Sequence, residues 1–199
     1  MSKTAVLLLA AGSASRMGRP KQMLKWKNTT ILGNAIHNAS LLKVEKTVVV
    51  LGAHYETIIS NIKNGNNIII RNDAWEQGLG NSIALGVRYI HESFIEIENI
   101  LIMLADQPLI DFNFLKHMIE RHILNEKQIV CTAYENNRLG VPAIFNKIYF
   151  KELMQLNTDK GARDNLKKYF EELTFINGGD LIQDIDTIDD YNTIYSEHH

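Results

Sequence analysis

Apolar residues in this chain come in short blocks separated by polar, turn-rich segments. The aliphatic runs are TAVLLLAAG from Thr4, KTVVVLGAH from Lys46, NNIIIRN from Asn66, NILIMLAD from Asn99, QIVCTAY from Gln128 and VPAIF from Val141. Each carries about four to eight residues between turn formers, and most are rich in β-branched side chains. Continuous rather than alternating hydrophobicity predicts strands buried on both faces. Between them the period changes to that of a helix. TTILGNAIHNASLL opens with a threonine cap and repeats Ile31, Leu32, Ala35, Ile36 and Ala39; DFNFLKHMIERHIL opens on Asp111 and lines up Phe114, Leu115, Met118, Ile119 and His122. Strands alternating with helices predict an α/β fold of three layers, a doubly wound and mostly parallel sheet with helices on both faces. No repeat, low-complexity tract or linker interrupts the pattern, so residues 1–196 read as one domain, with 197–199 (Glu-His-His) set aside as a candidate tag remnant.

In such sheets ligands gather outside the carboxyl ends of the strands. That singles out the loops at 12–21, 52–55, 72–82 and 106–108. In the first, Gly12, Gly18 and the small residues Ser13, Ala14 and Ser15 let the backbone curl so that N–H groups converge on an anion. Arg16 can fork onto two phosphate oxygens, and Lys21 supplies a compact charge. Gly-Lys-Ser/Thr does not follow, and G-x-G-x-x-G is absent, so the loop is neither a Walker A motif nor a dinucleotide fingerprint. The plain alternative is a solvated basic turn.

Asp106 ends an aliphatic strand and Pro108 stops it. A carboxylate there can hold Mg²⁺, or it can cap the turn before the helix at Asp111; the cations on the neighbouring loop favour the metal. In NDAWEQGLGNSI, Gly78 and Gly80 make a tight turn and Asn81 or Ser82 is expected to cap the next helix, whose N-terminus either faces an anion or is merely capped. RLGVPAIF and NTDKGARDNL, the latter with Lys160 and Arg163, read as a Gly turn with a strand and as the polar start of a helix. DIDTIDDY places four carboxylates in eight residues: a solvated face, a cap at Thr187, and in Asp186 a candidate second metal ligand.

Bulk properties narrow the partners. A formal net charge of -2 over 199 residues excludes a generally basic nucleic-acid or anionic-membrane binder, so any phosphate chemistry is local. The single Cys131 excludes an internal disulfide and fits a reducing compartment. No run reaches the ~20 apolar residues of a membrane span, and the cationic loop behind the first run does not fit a signal peptide, so the expected location is the cytoplasm. His54, His91, His117 and His122 lack metal-ligand spacing, Cys131 sits in an apolar strand, and Ser13 and Ser15 have no evident base. Trp26 and Trp75 are expected to pack rather than to stack on a ligand.

The stretch LAAGSASRMGRPKQML (9–24) resembles the signature of the MobA-like nucleotidyltransferases. VVVLGAHYETI, NDAWEQGLGNSI, LADQPLI, GVPAIF, DKGAR and DIDTIDDY follow in that family's order. LAAG, rather than LAGG, together with LADQPL is similar to the branch that transfers cytidylyl groups to the molybdenum cofactor. The resemblance implies a Rossmann-like nucleotidyltransferase fold and transfer of a nucleoside monophosphate, CMP from CTP, to a phosphorylated acceptor such as molybdopterin, with pyrophosphate leaving. It implies Mg²⁺ or Mn²⁺ on Asp106, with Asp186 as a second ligand, and catalysis carried by Arg16, Lys21 and Asp106. The nucleotide is expected against Leu9, Ala10, Ala11, Gly12, Gly52, Asn72, Gly80 and Ser82, and the acceptor beside Pro142, Lys160 and Arg163. A molybdoenzyme would then receive the product. Where relatives more often carry Ser and Pro, this chain has Asn81 and Ile188. A sugar or polyol phosphate as acceptor, or a non-catalytic nucleotide-binding partner in molybdoenzyme maturation, are the alternatives.

Overall fold

The computed structural model describes residues 3–62, 65–124, 128–135, 138–157 and 162–198, with the backbone alone at 163–165. Seven strands form the central sheet: β1 (Thr4–Ala10), β4 (Lys46–Leu51), β5 (Ile68–Arg71), β6 (Asn99–Leu104), β7 (Ile129–Ala133), β8 (Leu139–Asn146) and β9 (Leu173–Asn177). Their order is β5-β4-β1-β6-β8-β7-β9, and a two-stranded ribbon, β2 (Lys25–Trp26) with β3 (Thr29–Thr30), stands apart. All the aliphatic runs become strands. β8 is the departure from a parallel sheet, since it runs antiparallel to both β6 and β7. β9 is an edge strand that pairs in parallel with β7.

All seven residues of β1 are buried, which is why its sequence is unbroken hydrophobe after Thr4. Its alternate side chains feed two cores. Ala5, Leu7 and Leu9 join Ile83, Val87 and Ile90 of α3 (Leu79–Ser93) on one face. Val6, Leu8 and Ala10 join α1 (Ile31–Leu41) and α4 (Phe112–Ile123) on the other. A Cβ on Gly86 would lie 2.3 Å from Leu7 Cδ1, so α3 presses on β1 at the distance only glycine allows. The expected caps form: Gly33 N donates to Thr30 Oγ1 (3.0 Å) and Phe114 N to Asp111 Oδ1 (2.8 Å).

A third, smaller core lies at the carboxyl ends of the strands. Trp26, Leu24 and Ile31 pack there against Ile185 and against Ile194 of α7 (Ile188–His198). Burying a side chain of that size is worth about 1.5–3 kcal/mol, enough to hold the segment in place. Ile185 N also donates to Asp106 O (3.0 Å), and Tyr191 Oη to Lys25 O (2.9 Å). Residues far apart in sequence thereby close one end of the sheet. Among the described residues no helix is long and apolar enough to cross a membrane.

Candidate active site

Past Ala10 the chain leaves the sheet as a loop whose bends are set by residues in the left-handed region, Ala14 (φ 51°) and Gly18 (φ 65°), flanking a single 3-10 turn at Ser15–Met17. A second such turn, Lys21–Met23, carries two side chains with different tasks. Lys21 Nζ donates to Asp106 Oδ2 (2.6 Å), Ile185 O (2.9 Å) and Asp186 Oδ1 (3.2 Å). Gln22 Nε2 donates to Ala10 O (3.0 Å) and Gly12 O (2.8 Å). Arg16 completes the cluster with an ion pair to Asp186 Oδ2 at 2.9 Å.

Two cations and two carboxylates thus form one network at the carboxyl ends of β1 and β6. Burial alone would lower the pKa of Lys21, but Asp106 and then Asp186 outweigh it and hold the ammonium above its ordinary range. Burial would likewise raise that of Asp186; Lys21 and Arg16 reverse the sign and keep it below the usual carboxylate range. Asp106 Oδ1 is buried and has no hydrogen-bond partner among the described residues, so one oxygen of this carboxylate stands unsatisfied beside the cleft.

The network borders a cleft of about 380 Å³ between the 10–16 loop and the start of α3, with Trp75, Gly78 and Ser82 opposite Ala11 and Arg16. Leu9, Ala10, Gly12, Lys21, Asp106 and Asp186 line it too. Other residues named from the sequence stand behind its wall. Asn72 Nδ2 donates to Ser82 Oγ (2.9 Å) while its Oδ1 accepts from Ala74 N, so Asn72 orients the residue that faces the cleft. At Gly52 a Cβ would meet Trp75 Cβ at 2.6 Å and Ala11 O at 2.8 Å; its absence lets the β4 loop support both walls. Gly80 is buried inside the first turn of α3.

The expected cap on α3 is corrected. The helix begins at Leu79 behind Gly78 (φ 98°), and neither Asn81 nor Ser82 caps it. Asn81 Nδ2 donates instead to Gln77 Oε1, and Ser82 accepts from Asn72. Thr187 does cap, accepting from Asp190 N while Asp190 Oδ2 accepts from Thr187 N. Asp184 and Asp189 are both exposed residues, as a solvated face requires, and Asp184 also joins a second network through its carboxyl. There Gln107, 2% exposed, donates from Nε2 to Tyr134 Oη (2.7 Å) and Asp184 Oδ1 (2.9 Å). Burial of the inward-turned carboxyl, with Asp106 nearby, pushes Asp184 up to about 6. Burial likewise pushes Tyr134 up to about 12, and it donates to Val141 O.

A depression of about 200 Å³ opens beside this second network, between Tyr134, Arg138, Gly140, Val141 and Asp184. Pro142 is buried just behind it, its carbonyl accepting from Thr132 Oγ1 (2.7 Å). Lys160 lies outside the described residues, and Arg163 begins α6 (Arg163–Lys168). Among the described residues no metal-holding group of histidines gathers, and His122 is bound to Asn99 Oδ1 (2.8 Å) in the interior. Cys131 is a core thiol that burial pushes up to about 12. Trp26 is fully packed, whereas Trp75 reaches the cleft wall, a position its isolated place in the sequence did not indicate. Gln22 and Gln107 were equally silent, because a glutamine in a loop is ordinarily solvated.

The chain is 28% identical over 194 residues to the molybdenum cofactor cytidylyltransferase of Escherichia coli (strain K12), covering 97% of this chain and 96% of that one. It is 27% identical over 193 residues to the bifunctional protein GlmU of Thermosipho melanesiensis, of which it spans 40%. Rv0371c of Mycobacterium tuberculosis superposes with a TM-score of 0.86 at 24% identity over 98% of both chains, and that protein has also been crystallised in complex with manganese. The family model of the MobA-like NTP transferase domain matches residues 6–173, and the chain belongs to that family of nucleotidyltransferases.

Proposed function

We propose that the protein transfers CMP from CTP to a phosphorylated small molecule, with molybdopterin as the acceptor and a molybdoenzyme as the destination of the product. The observation that carries the proposal is the Arg16–Asp186–Lys21–Asp106 network at the mouth of a cleft walled by Ala10 and Ala11. Identity to a molybdenum cofactor cytidylyltransferase over nearly the full length supports the choice of nucleotide and acceptor. The second reading is a sugar or polyol phosphate as acceptor on the same machinery.

Phosphoryl chemistry of this kind relies on positioning and on neutralising charge. The unpartnered Asp106 Oδ1 fits a hard cation, and Asp186 is the carboxylate beside it. No group of three or more acidic, histidine or cysteine side chains gathers among the described residues, so a Mg²⁺ or Mn²⁺ held by these two carboxylates would take its other ligands from phosphate oxygens and water. Such an ion supplies charge neutralisation at the α-phosphate. Arg16, its side chain 65% exposed, is free to swing from Asp186 onto the departing phosphates. Lys21 would neutralise charge at the α-phosphate as the attacking oxygen approaches. The acceptor phosphate is already ionised at pH 7, so no general base is needed.

The base is read by size and by backbone. A wall formed by Ala10 and Ala11 would suit the smaller pyrimidine, and a size mismatch of this sort discriminates by about 1–3 kcal/mol, a loss of hydrogen bonds by more. Pyrophosphate release measured with CTP, GTP and UTP, with and without molybdopterin, tests the proposal. CTP is expected to be preferred and Ala11→Gly to relax the preference. Equal or better use of GTP by the parent protein would refute the cytidylyl reading.

A further inference from the structure

We infer that Gln22 is a positioning residue for the nucleotide, aiming two backbone N–H groups of the 10–13 loop into the cleft. The inference rests on the reading of that cleft as the nucleotide site and adds to it the element that shapes the loop.

Gln22 is 2% exposed and sits at the centre of the Lys21–Met23 turn. Both of its amide hydrogens are used, one on Ala10 O at 3.0 Å and one on Gly12 O at 2.8 Å. Only the nitrogen can face two carbonyl oxygens, so the orientation of the amide is fixed by its surroundings. Between these two carbonyls, Ala11 O accepts from Ala53 N at 3.0 Å. Three successive carbonyls are therefore held by the protein.

A trans peptide is planar, with its C=O and the following N–H pointing in opposite directions. A carbonyl drawn toward Gln22 turns the next N–H away from it. Fixing Ala10 O in this way directs Ala11 N–H, and fixing Gly12 O directs Ser13 N–H, on the side where Ala11 and Ser13 line the cleft. The first lies where the edge of a base is read. The second lies beside Arg16, where a phosphate is held.

The remaining oxygen shows that this arrangement carries a cost. Gln22 Oε1 is buried and has no partner among the described residues, a penalty that leucine or methionine at this position would avoid. Packing alone would therefore be better served by an apolar residue; what glutamine adds is its two donors. Its neighbour Lys21 anchors the same turn to Asp106 and Asp186, so one short turn ties the loop to the acidic side of the site and sets its amides.

The test is Gln22→Met, which keeps length and apolar fit but has no donor, with Gln22→Asn as a second variant that keeps the donor on a shorter arm. Titrations with CTP plus Mg²⁺ are followed by calorimetry and by the amide signals of Ala11 and Ser13 in ¹⁵N–¹H spectra. In the parent both signals shift on nucleotide addition. In Gln22→Met the dissociation constant is expected to rise at least tenfold and KM to rise more than kcat falls, with the melting temperature near that of the parent. Gln22→Asn is expected to fall between them, and it decides the matter if Gln22→Met does not fold. Parent-like affinity in a variant lacking the donor, or a lowered melting temperature with unchanged affinity, would overturn the role of Gln22. Absence of any binding by the parent would overturn the nucleotide reading and this inference together.

Discussion

Asp106→Asn separates the chemistry of this site from its architecture. Lys21 Nζ lies 2.6 Å from Asp106 Oδ2, with the two side chains 12% and 22% exposed. At an effective dielectric of about 20 the gross attraction at that distance is about 6 kcal/mol, and desolvation of both ions offsets much of it. Removing one partner of a buried pair typically costs about 3–5 kcal/mol because the other charge is stranded. Here Lys21 is not stranded, since Asp186 Oδ1 at 3.2 Å and Ile185 O at 2.9 Å remain, and the asparagine oxygen can still accept. The expected loss of stability is about 1–3 kcal/mol, which a domain of this size survives at 25 °C. Turnover should fall at least a hundredfold, because the unpartnered Oδ1 that fits a cation is no longer part of a carboxylate. Urea unfolding gives the first quantity, pyrophosphate release the second, and Mn²⁺ titration followed by electron paramagnetic resonance reports on the ion directly. A folded variant with activity within about tenfold of the parent would refute the assignment of Asp106.

Lys21→Ala is expected to lower kcat more than it weakens CTP binding, as read by single-turnover kinetics, because its charge matters most when the α-phosphorus gains negative character. Folding raises the pKa of Asp184 from 3.8 to about 6, so the native state holds this proton more tightly than the unfolded chain. Stability should therefore decline between about pH 4 and 6 and stay lower above, and urea midpoints for Asp184→Asn should lack that decline. Gly52→Ala would place its Cβ 2.6 Å from Trp75 Cβ and 2.9 Å from Ala11 Cβ; a cost of about 1–3 kcal/mol and weaker nucleotide binding are expected from thermal melts and calorimetry.

The strands and the faces of the main helices were legible because burial leaves a one-dimensional trace. β1 is buried at every position, and α1 and α4 repeat their apolar residues at helical spacing behind caps that form. β9 left a weaker trace, since an edge strand with Phe175 56% exposed does not read as core. The reversed direction of β8 is a matter of connection, which hydrophobicity does not encode. In the site, Arg16, Lys21 and Asp106 could be named because charge at a strand's end is conspicuous. The supporting residues could not: Gln22 and Gln107 act through hydrogen bonds to groups fixed by the tertiary fold, and Asn72, named through the family resemblance alone, does the same. Asp184 and Asp186 stand two residues apart with pKa values moved in opposite directions, a difference set by the neighbours each meets in space.

The closure of the site by Ile185, Asp186 and Ile194 has a consequence in time. Lys21 and Asp186 are separated by 165 positions, which at about 5–20 residues per second corresponds to roughly 8–30 s of synthesis. β1, β4, β5 and β6, which pair with one another in parallel, can assemble long before then, carrying Arg16 ahead of its partner Asp186 and Lys21 already beside Asp106. Ion pairing with Asp186, and the packing of Ile185 against Trp26, come afterwards. A chain stalled on the ribosome before this segment emerges would then carry an ordered half-sheet whose candidate site still lacks one of its two carboxylates, so on the proposed reading competence for transfer would come late in synthesis.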